Sequence, residues 1–388
     1  MDFYQKIPSG CAVAGIMNTE GRPFSGNKIM DCIEVMHDRT NGLGGGFACY
    51  GLYPDLKDYY AFHLIYEDEA SRVETEKFLR NYFVMVGGET IPIRKNPRIG
   101  SAPMLWRYFL KPMEHLIADE GNDEDNDEQG FVVRKVMHIN TGIKGAFVSS
   151  SGKDMGVFKG VGYPEDIGEY FMLDEYQGHI WTAHGRFPTN TSAWWGGAHP
   201  FCLLDWSVVH NGEISSYGTN ARFLDTQGYP CTLETDTEVV TYAVDLLMRK
   251  HSLSLKEAAS VLAAPFWDKI DNLDSSEKEH LTKLRIIYKD LLLNGPFAFI
   301  IANSDMMIGL TDRIKLRPLI AAQKDEWYYI STEEAAIRKI EPHPQEYFYS
   351  RAGKPLYATL KNMDIKDCRK TRISQGARLK GGLTHDNK

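Results

Sequence analysis

Four short motifs decide how this chain is interpreted: H-G-R-F-P-T-N-T (184–191), A-H-P-F (198–201), H-N-G-E-I (210–214) and T-D-T-E (235–238). They are rich in polar residues and include glycine and proline, as do loops that begin where strands end. Far upstream, Cys11 opens a short apolar run within S-G-C-A-V-A-G-I-M. We expect the four motifs to form one half of a site and Cys11 to form the other half.

Composition narrows the class of protein before any motif is used. The 388 residues carry a net charge of −8, with 43% hydrophobic and 25% charged residues, which is typical of a globular protein and argues against nucleic-acid binding. No apolar run approaches the roughly 18 residues of a membrane span, and residues 1–10 lack the pattern of a secretory signal. The six cysteines show no C-x-x-C spacing, so neither a zinc site nor a disulfide framework is predicted. We therefore expect a cytoplasmic protein with reduced thiols, no bound metal and no membrane partner.

Hydrophobic periodicity predicts strands with helices between them. The predicted strands are 11–17, 47–53, 59–66, 131–139, 146–150, 180–184, 206–210, 297–303, 307–310, 319–322 and 327–331. The predicted helices are 27–37, 69–83, 103–117, 219–226, 236–250, 255–263 and 276–293. Of these, the 69–83 helix would bury an apolar face of Val73, Phe78, Leu79, Tyr82 and Phe83. This order of elements predicts a layered α+β domain with mixed or antiparallel sheets.

Three segments stand apart from this pattern. Residues 54–145 are predicted to be an insertion or subdomain on one edge of a sheet. Within it, seven of the ten residues 119–128 are acidic, which fits a solvated loop tip or an acidic docking segment. The tail 361–388 is polar and basic, which fits a solvent-exposed tail or a contact with a partner.

Cys11 is a candidate nucleophile. Breaking an amide requires a nucleophile, a base for its proton and donors for the oxyanion that develops. Ser9 and Gly10 are small residues suited to an exposed or cleavable turn. If the chain were cut before Cys11, its α-amine, with an ordinary pKa of about 7.7–8.0, would suit a base at neutral pH. The alternative is an ordinary buried cysteine.

Three residues of the motifs are candidates for substrate or oxyanion binding. Arg186 lies at a strand end, where it could clamp a carboxylate in bidentate fashion or form a structural salt bridge. Asn211-Gly212 could close a hairpin, or could aim a side-chain amide and a backbone N–H at one point as an oxyanion hole.

Asp236 and Arg39 can each be interpreted as structural or as functional residues. Asp236 could cap its helix, a role that Thr235 could also fill, or it could hold a substrate ammonium. Arg39 could stabilise the thiolate or orient the loop after the first helix, and otherwise it is a solvated cation at a helix end. Four histidines invite comparison with a Cys–His hydrolase, but their spacing identifies no base, so we expect core or hairpin roles for His37, His184, His199 and His210.

Taken in order, Cys11, Arg39, R-F-P-T-N-T (186–191), H-N-G-E-I (210–214) and T-D-T-E (235–238) resemble the class II glutamine amidotransferases. Members of this family are N-terminal-nucleophile hydrolases with a four-layer αββα fold. The resemblance therefore implies that fold for residues 11–360.

Two later segments extend the resemblance to roughly residue 340. D-R-I-K-L-R-P-L (312–319) is similar to the family's D-x-x-G-x-R-P-L hairpin, with Lys315 where glycine is usual. The next strand and S-T-E-E-A-A-I (331–337) also fit the family's pattern. There are two departures from the family pattern: Ala12 replaces the glycine that usually follows the cysteine, and Thr40 replaces the glycine common after Arg39.

The resemblance implies a role for each candidate. Cys11 would be the nucleophile and its own α-amine the base. Arg186 would bind the α-carboxylate of glutamine and Asp236 its α-amino group. Asn211 and Gly212 would form the oxyanion hole. Arg39 would support the nucleophile's pocket. The products would be glutamate and ammonia.

Within the family, R-F-x-T-N-T, a following tryptophan (Trp194 or Trp195), Pro200-Phe201 and H-N-G-E-I look most like the amidotransferase part of glutamate synthase. That relative removes a short leader, as residues 1–10 would be removed here. Because no synthase domain follows residue 340, the resemblance implies a separate synthase subunit that accepts the ammonia. FMN and an iron–sulfur centre would lie on that subunit and no cofactor on this chain. The alternatives are a catalytically silent scaffold subunit or a hydrolase of another amide.

Overall fold

The computed structural model describes residues 10–119, 127–187 and 193–361. Most of the predicted leader, most of the acidic segment 119–128 and nearly all of the tail 361–388 lie outside these ranges. Residues 188–191 of the first motif lie outside them as well.

The described residues form short antiparallel strands with helices between them. The strands are β1 (Ala12–Asn18), β2 (Phe24–Ser25), β3 (Gly45–Tyr50), β4 (Tyr60–Tyr66), β5 (Phe83–Thr90), β6 (Met104–Pro112), β7 (Ala146–Ser150), β8 (Met155–Gly160), β9 (Gln177–Gly178), β10 (Ile180–Gly185), β11 (Phe201–Leu203), β12 (Trp206–Gly212), β13 (Phe297–Ala302), β14 (Met306–Thr311), β15 (Ile320–Lys324), β16 (Trp327–Ser331), β17 (Glu346–Tyr349) and β18 (Leu356–Thr359). The helices are α1 (Asn27–Glu34), α2 (Glu69–Tyr82), α3 (Glu114–Asp119), α4 (Glu128–Gly142), α5 (Pro164–Tyr170), α6 (Tyr217–Thr226), α7 (Asp236–Val244), α8 (Leu255–Leu262), α9 (Trp267–Asp271), α10 (Ser275–Ile287) and α11 (Glu334–Ile340).

Two large sheets pack face to face. The seven-stranded sheet has the order β17-β15-β16-β1-β10-β3-β8, and the five-stranded sheet has the order β11-β12-β13-β14-β18. Strand β1 shows how the sequence sets this packing, because successive side chains of a strand point to opposite faces. Val13 and Met17 pack with Ile300 of the second sheet, whereas Ala14 and Ile16 pack in a separate core with the helices.

Helices cover the other face of each sheet. The seven-stranded sheet is covered by α1, α5 and α11, whose apolar side chains, such as Ile33 of α1, join Ala14 and Ile16 in one core. The five-stranded sheet is covered by α6 and α7, where Val239 and Val240 pack with Val208 of β12. The predicted layered α+β domain with antiparallel sheets is confirmed in this mixed arrangement of sheets and helices.

A third sheet is built largely from the segment predicted as a subdomain. It has the order β5-β6-β4-β7, and α2 and α4 pack on it. Strand β7 lies just beyond residue 145 and leads directly into β8 of the seven-stranded sheet. The boundaries 54–145 stay a prediction.

Three expectations for this segment were wrong. Residues 103–117 form strand β6 and the short helix α3 instead of one helix. Residues 105–110 lie in the middle of a sheet, and apart from Arg107 they are apolar, without the alternation typical of a strand. Residues 131–139 form helix α4 instead of a strand; Asp127 caps the helix by accepting a hydrogen bond from Gly130 N (2.7 Å). Leu79 and Phe83 of the predicted apolar face are buried, but Val73 is 54% exposed, because Ser71 and Thr75 occupy the buried face in its place.

The remaining predicted elements lie where they were expected, within a few residues. Several elements were not predicted, among them β5, β8, α5 and α11. Among the described residues, no helix is both long enough and apolar enough to cross a membrane.

Candidate active site

Cys11 lies just before β1, the central strand of the seven-stranded sheet, at the strand end that is next to the motifs. Its neighbour Ala12 pairs with Gly185, so the end of β10 brings Arg186 and Phe187 alongside the thiol. The backbone N–H of Phe187 donates to Cys11 Sγ (3.3 Å). Burial raises the pKa of the Cys11 thiol, and the Phe187 N–H and the Arg186 charge oppose that rise. The thiol is thus partly buried and held by a donor, unlike an ordinary core cysteine.

Arg39 contacts two segments that are far apart in the sequence, at Cys11 and at Glu333. It lies in a short 3₁₀ turn (His37–Arg39), where its Nε donates to the Cys11 carbonyl oxygen (3.4 Å). Its Nη1 forms an ion pair with Glu333 Oε1 (2.5 Å). The interpretation of Arg39 as a solvated cation is wrong, since its side chain is 17% exposed. Glu333, within the S-T-E-E-A-A-I segment, is a residue of this site that the sequence did not single out.

The D-R-I-K-L-R-P-L segment forms the loop between β14 and β15 and reaches the same pocket. The Asp312 carboxylate accepts hydrogen bonds from Ile314 N (3.0 Å) and Leu316 N (2.8 Å), which fixes the loop. Lys315 has a φ of +59°, a conformation that favours glycine and explains why glycine is usual at this position. The loop places Arg317 beside Gly10 and close enough for its charge to lower the Cys11 pKa. Arg317 is a second site residue that was not singled out.

Gly10 lies among these groups. A Cβ built on Gly10 would stand 3.3 Å from Arg39 Nη2, 3.4 Å from Arg317 Nη1 and 3.8 Å from Asn211 Oδ1. Its φ of +136° is a conformation that side chains other than glycine rarely adopt. The peptide bond before Cys11 therefore lies between two guanidinium groups and the Asn211 amide.

Asn211 and Gly212 end strand β12 and do not close a hairpin, since the next strand begins at Phe297. Asn211 is fully buried, and neither Oδ1 nor Nδ2 has a hydrogen-bond partner among the described residues. Gly212 has a φ of +148°, and a Cβ there would lie 1.9 Å from the Pro296 carbonyl oxygen, so only glycine fits. The strand thus delivers a side-chain amide without a partner next to the pocket.

Asp236 lies at the start of α7, but Thr235 is the N-cap: its side chain accepts from Thr237 N (3.4 Å). Asp236 Oδ2 accepts from Ile214 N (2.9 Å), and His210 Nδ1 lies 3.4 Å from Oδ1. Burial alone would raise the pKa of Asp236, but His210 and the hydrogen bonds lower it below its ordinary value. A carboxylate that stays ionised and is partly exposed can bind a cation.

Arg186 supplies the opposite charge. Its backbone N–H donates to the Gly44 carbonyl oxygen (2.8 Å), which anchors the end of β10 against β3. Burial lowers the pKa of its guanidinium, while the Cys11 thiol and Asp236 favour the charged form. Arg186, Asp236 and Cys11 are therefore close enough to influence one another's charge. The pocket can hold a zwitterion with a carbonyl near the thiol.

His184, His199 and His210 are buried in the core, as expected. The expectation of a core or hairpin role was wrong for His37, whose side chain is 48% exposed in the 3₁₀ turn. His184 Nε2 lies 2.9 Å from both the His210 carbonyl oxygen and His199 Nδ1, and burial lowers the pKa of His184 to about 3. His37 pairs with Glu165 and stacks on Tyr163. Among the described residues, no three His, Cys, Asp or Glu side chains gather into a metal-binding group. The absence of a cofactor from this chain stays a prediction.

An α+β fold of stacked antiparallel sheets, with a thiol among guanidinium groups at its edge, defines the protein as a candidate thiol hydrolase. The family model described as glutamine amidotransferases class-II matches residues 63–347. A second comparison places a protein of Archaeoglobus fulgidus, described as uncharacterized, at 49% identity over 362 residues, covering 92% of this chain and 94% of that protein. The chain belongs to the class II glutamine amidotransferases.

Other relatives are more distant. A glutamine amidotransferase-like protein, GlxB of Rhizobium meliloti, is 23% identical over 212 residues, covering 52% of this chain and 61% of that protein. A solved structure of glutamine phosphoribosylpyrophosphate amidotransferase from B. subtilis superposes with a TM-score of 0.44 at 14% identity. The alignment covers 90% of this chain but only 47% of that one, so this chain spans about half the length of that protein.

Proposed function

We propose that this chain is an amidotransferase subunit that hydrolyses glutamine to glutamate and ammonia through a thioester on Cys11. The observation that carries the proposal is the convergence of three groups on one pocket: the Cys11 thiol, the Arg186–Asp236 pair and the Asn211 amide. An amino-acid zwitterion offers a carboxylate to Arg186 and an ammonium to Asp236. Its side-chain carboxamide then faces the thiol. This charge pair favours glutamine over an uncharged amide.

The chemistry divides into two steps. In the first, Cys11 Sγ bonds to the carboxamide carbon, the carbon–nitrogen bond breaks and ammonia leaves with the thiol's proton. In the second, water breaks the thioester and releases glutamate. Asn211 Nδ2 and the Gly212 N–H would stabilise the oxyanion in both steps, a contribution of about 3–4 kcal/mol for one donor in other enzymes.

The base in this proposal is the α-amine of Cys11. The amine becomes available only when residues 1–10 are removed, and removal also vacates the space that Gly10 occupies between Arg39, Arg317 and Asn211. Arg39, held by Glu333, would then position the Cys11 backbone. We infer that the helix-flanked sheets correspond to the family's four-layer αββα arrangement, which the core around Ile300 between the sheets supports.

Glutamate synthase is our leading proposal for the system that uses the ammonia. Its support is the sequence around Trp194, Trp195, Pro200 and Phe201 together with H-N-G-E-I. On this proposal the acceptor is a separate synthase subunit that carries FMN and an iron–sulfur centre. Purified reconstitution with that subunit would test the pairing.

The experiment that tests the hydrolysis is a glutamate-release assay on full-length protein. Cys11→Ala should lower the rate more than about a thousandfold, as removal of a nucleophile does elsewhere. Cys231→Ala is the matched control, since Cys231 lies between α6 and α7. Its contacts are with the Tyr229 carbonyl and the hydrophobic core and include no residue of the proposed site. Hydrolysis that survives in Cys11→Ala would contradict the proposal.

A further inference from the structure

A cluster of exposed apolar side chains lies on helices α9 and α10. Trp267 begins α9 and is 47% exposed, and Phe266 precedes it. Ile286, near the end of α10, is 63% exposed and lines a cavity of about 410 Å³ together with Trp267. Large apolar side chains that gather on a surface, aromatic ones above all, mark sites of protein contact.

Two guanidinium groups lie on this cluster. Arg285 lies 4.1 Å from the centre of the Trp267 ring, and Arg313 lies 4.5 Å from the centre of the Phe266 ring. Arg285 Nη1 donates to the Pro265 carbonyl oxygen (2.5 Å), and Arg313 Nη2 donates to Asn294 Oδ1 (3.0 Å). These bonds hold the planes of both cations in place on the rings.

Among the residues that the structure describes, no carboxylate pairs with either cation. Their partners are neutral oxygens and aromatic faces, and neither Arg285 nor Arg313 forms an ion pair with another residue in the described part of the chain. The two cations also repel each other. Burial lowers the pKa of Arg285, and the nearby charge of Arg313 lowers it further. In a chain with a net charge of −8, such a concentration of positive charge is available for an external anion.

The cluster is continuous with the pocket of Cys11. Arg313 follows Asp312 in the loop between β14 and β15, and four residues later the same loop places Arg317 beside Gly10. Ile314 and Leu316, between them, are 54% and 57% exposed. Five residues span at most about 17 Å, so the cluster and the pocket are neighbours.

We propose that Phe266, Trp267, Arg285, Ile286, Arg313 and Ile314, here called the arginine–aromatic face, dock the protein that receives the ammonia. This inference rests on the proposed function. The partner surface that fits would carry carboxylates flanked by apolar side chains. Its carboxylates would bind the two guanidinium groups, and its apolar side chains would cover Trp267 and Ile286.

Charge and geometry favour this occupant. A fixed, planar guanidinium binds a carboxylate through two parallel hydrogen bonds, and stacking on an aromatic ring orders it before binding. A partner seated here would lie next to the loop that carries Arg317, and so close to the point where ammonia leaves.

The test uses full-length protein and a defined probe, a fluorescent peptide of about twelve residues in which glutamates alternate with leucines and phenylalanines. A matched peptide carries lysine in place of every glutamate. We expect the acidic peptide to bind saturably, and Arg285→Glu to weaken binding at least about tenfold through loss of a charge-assisted pair. Ile286→Glu should weaken it as well. Arg80→Glu, an exposed arginine on α2, is the matched control and should bind like the wild type.

Four results would overturn the proposal. The acidic peptide could fail to bind, or could bind Arg285→Glu and Ile286→Glu as tightly as the wild type. The lysine peptide could bind equally well. Sedimentation velocity could show self-association that Arg285→Glu abolishes, which would make a second copy of this chain the occupant. Labelling of Cys11 by a glutamine-mimicking electrophile, measured in the same variants, separates failure of the docking face from failure of the proposed glutaminase.

Discussion

Among single residues, Asn211 is the one whose buried, unpaired side-chain amide points most clearly to a role in binding. Its side chain is fully buried, yet neither polar atom has a partner in the part of the chain that the structure describes. A buried polar group left unsatisfied costs about 1–3 kcal/mol. A substrate oxyanion next to Cys11 would supply the missing acceptor for Nδ2.

Arg186 gives the first prediction at this scale. Arg186→Lys keeps the positive charge but replaces the planar fork with a point charge, so bidentate binding of the glutamine carboxylate is lost. We expect KM for glutamine to rise about tenfold or more, with a smaller change in kcat, in steady-state glutamate-release assays. Arg80→Lys on α2 serves as control. An unchanged KM would remove Arg186 from the binding site.

The sequence singled out Cys11, Arg39, Arg186, Asn211, Gly212 and Asp236, and the structure brings them together around one pocket. Glu333 and Arg317 were missed because their roles depend on contacts with residues about 300 positions away in the chain. Glu333 follows strand β16, and no pattern in the sequence around it predicts that it pairs with Arg39. The signal available for Arg317 was its place in the D-x-x-G-x-R-P-L segment.

At the scale of elements, the start of α7 is built around two carboxylates with different surroundings. Asp236 faces the pocket, whereas Glu238 is fully buried and accepts hydrogen bonds from Leu233 N (2.9 Å) and Thr232 N (3.1 Å). Burial raises the pKa of Glu238 from about 4.5 to about 7. The same short motif thus supplies one carboxylate for substrate and one for holding the preceding loop.

Glu238 predicts a pH dependence of stability. Because its folded pKa is raised, the folded state holds a proton that the unfolded state has lost between about pH 4.5 and 7. The free energy of unfolding should therefore fall as pH rises through this window, by on the order of 3 kcal/mol. Urea unfolding at several pH values should show this decline in the wild type and not in Glu238→Gln. Equal pH slopes for the two proteins would contradict this assignment.

The loop between β14 and β15 gives a second prediction about an element. Lys315 has a φ of +59°, which costs a residue other than glycine about 1–2 kcal/mol. Lys315→Gly should stabilise the protein by up to about 1 kcal/mol, since the greater freedom of glycine in the unfolded chain offsets part of the gain. Lys315→Ala should not stabilise it. Thermal unfolding of both variants measures the difference, and a destabilised glycine variant would show that the lysine side chain matters more than its backbone.

Most strands and helices follow from periodicity, but α4 and β6 show where it fails. Valines and Ile139 suggested a strand at 131–139, although Val132, Val136 and Ile139 also follow helical spacing and are all buried. Packing against the third sheet decides between these patterns, and the sequence does not encode it locally. At β6 the sequence predicted a helix where the structure has a strand. A strand in the middle of a sheet can lack the alternation of apolar and polar residues by which strands are recognised.

At the scale of the whole molecule, the two large sheets must stay in register for the site to exist. Cys11 and Arg186 come from the seven-stranded sheet, whereas Asn211 ends a strand of the five-stranded sheet. The core between the sheets, with Val13 and Ile300 among its members, joins them. A Cβ on Gly15 would lie 2.5 Å from Met307 Sδ and 3.3 Å from Ile300 Cγ2, so side chains of the second sheet pack directly on the β1 backbone there.

Ile300 provides the test at this scale. It is fully buried between the sheets, so Ile300→Ala should lower the free energy of unfolding by about 2–5 kcal/mol through lost transfer energy and a cavity. Val73→Ala, at a position that is 54% exposed, should change stability by less than about 0.5 kcal/mol. Chemical denaturation measures both. A small loss in Ile300→Ala would mean that this core does not hold the sheets together.

The measurement that tests the central claim most directly uses protein produced from the full sequence, residues 1–10 included. The protein is labelled with diazo-oxo-norleucine and examined by intact-mass and peptide mass spectrometry. We predict one adduct, on Cys11, in a chain whose first residue is Cys11, and protection by excess glutamine. An adduct on another residue, or no adduct in protein that hydrolyses glutamine, would contradict the assignment of Cys11 as the nucleophile.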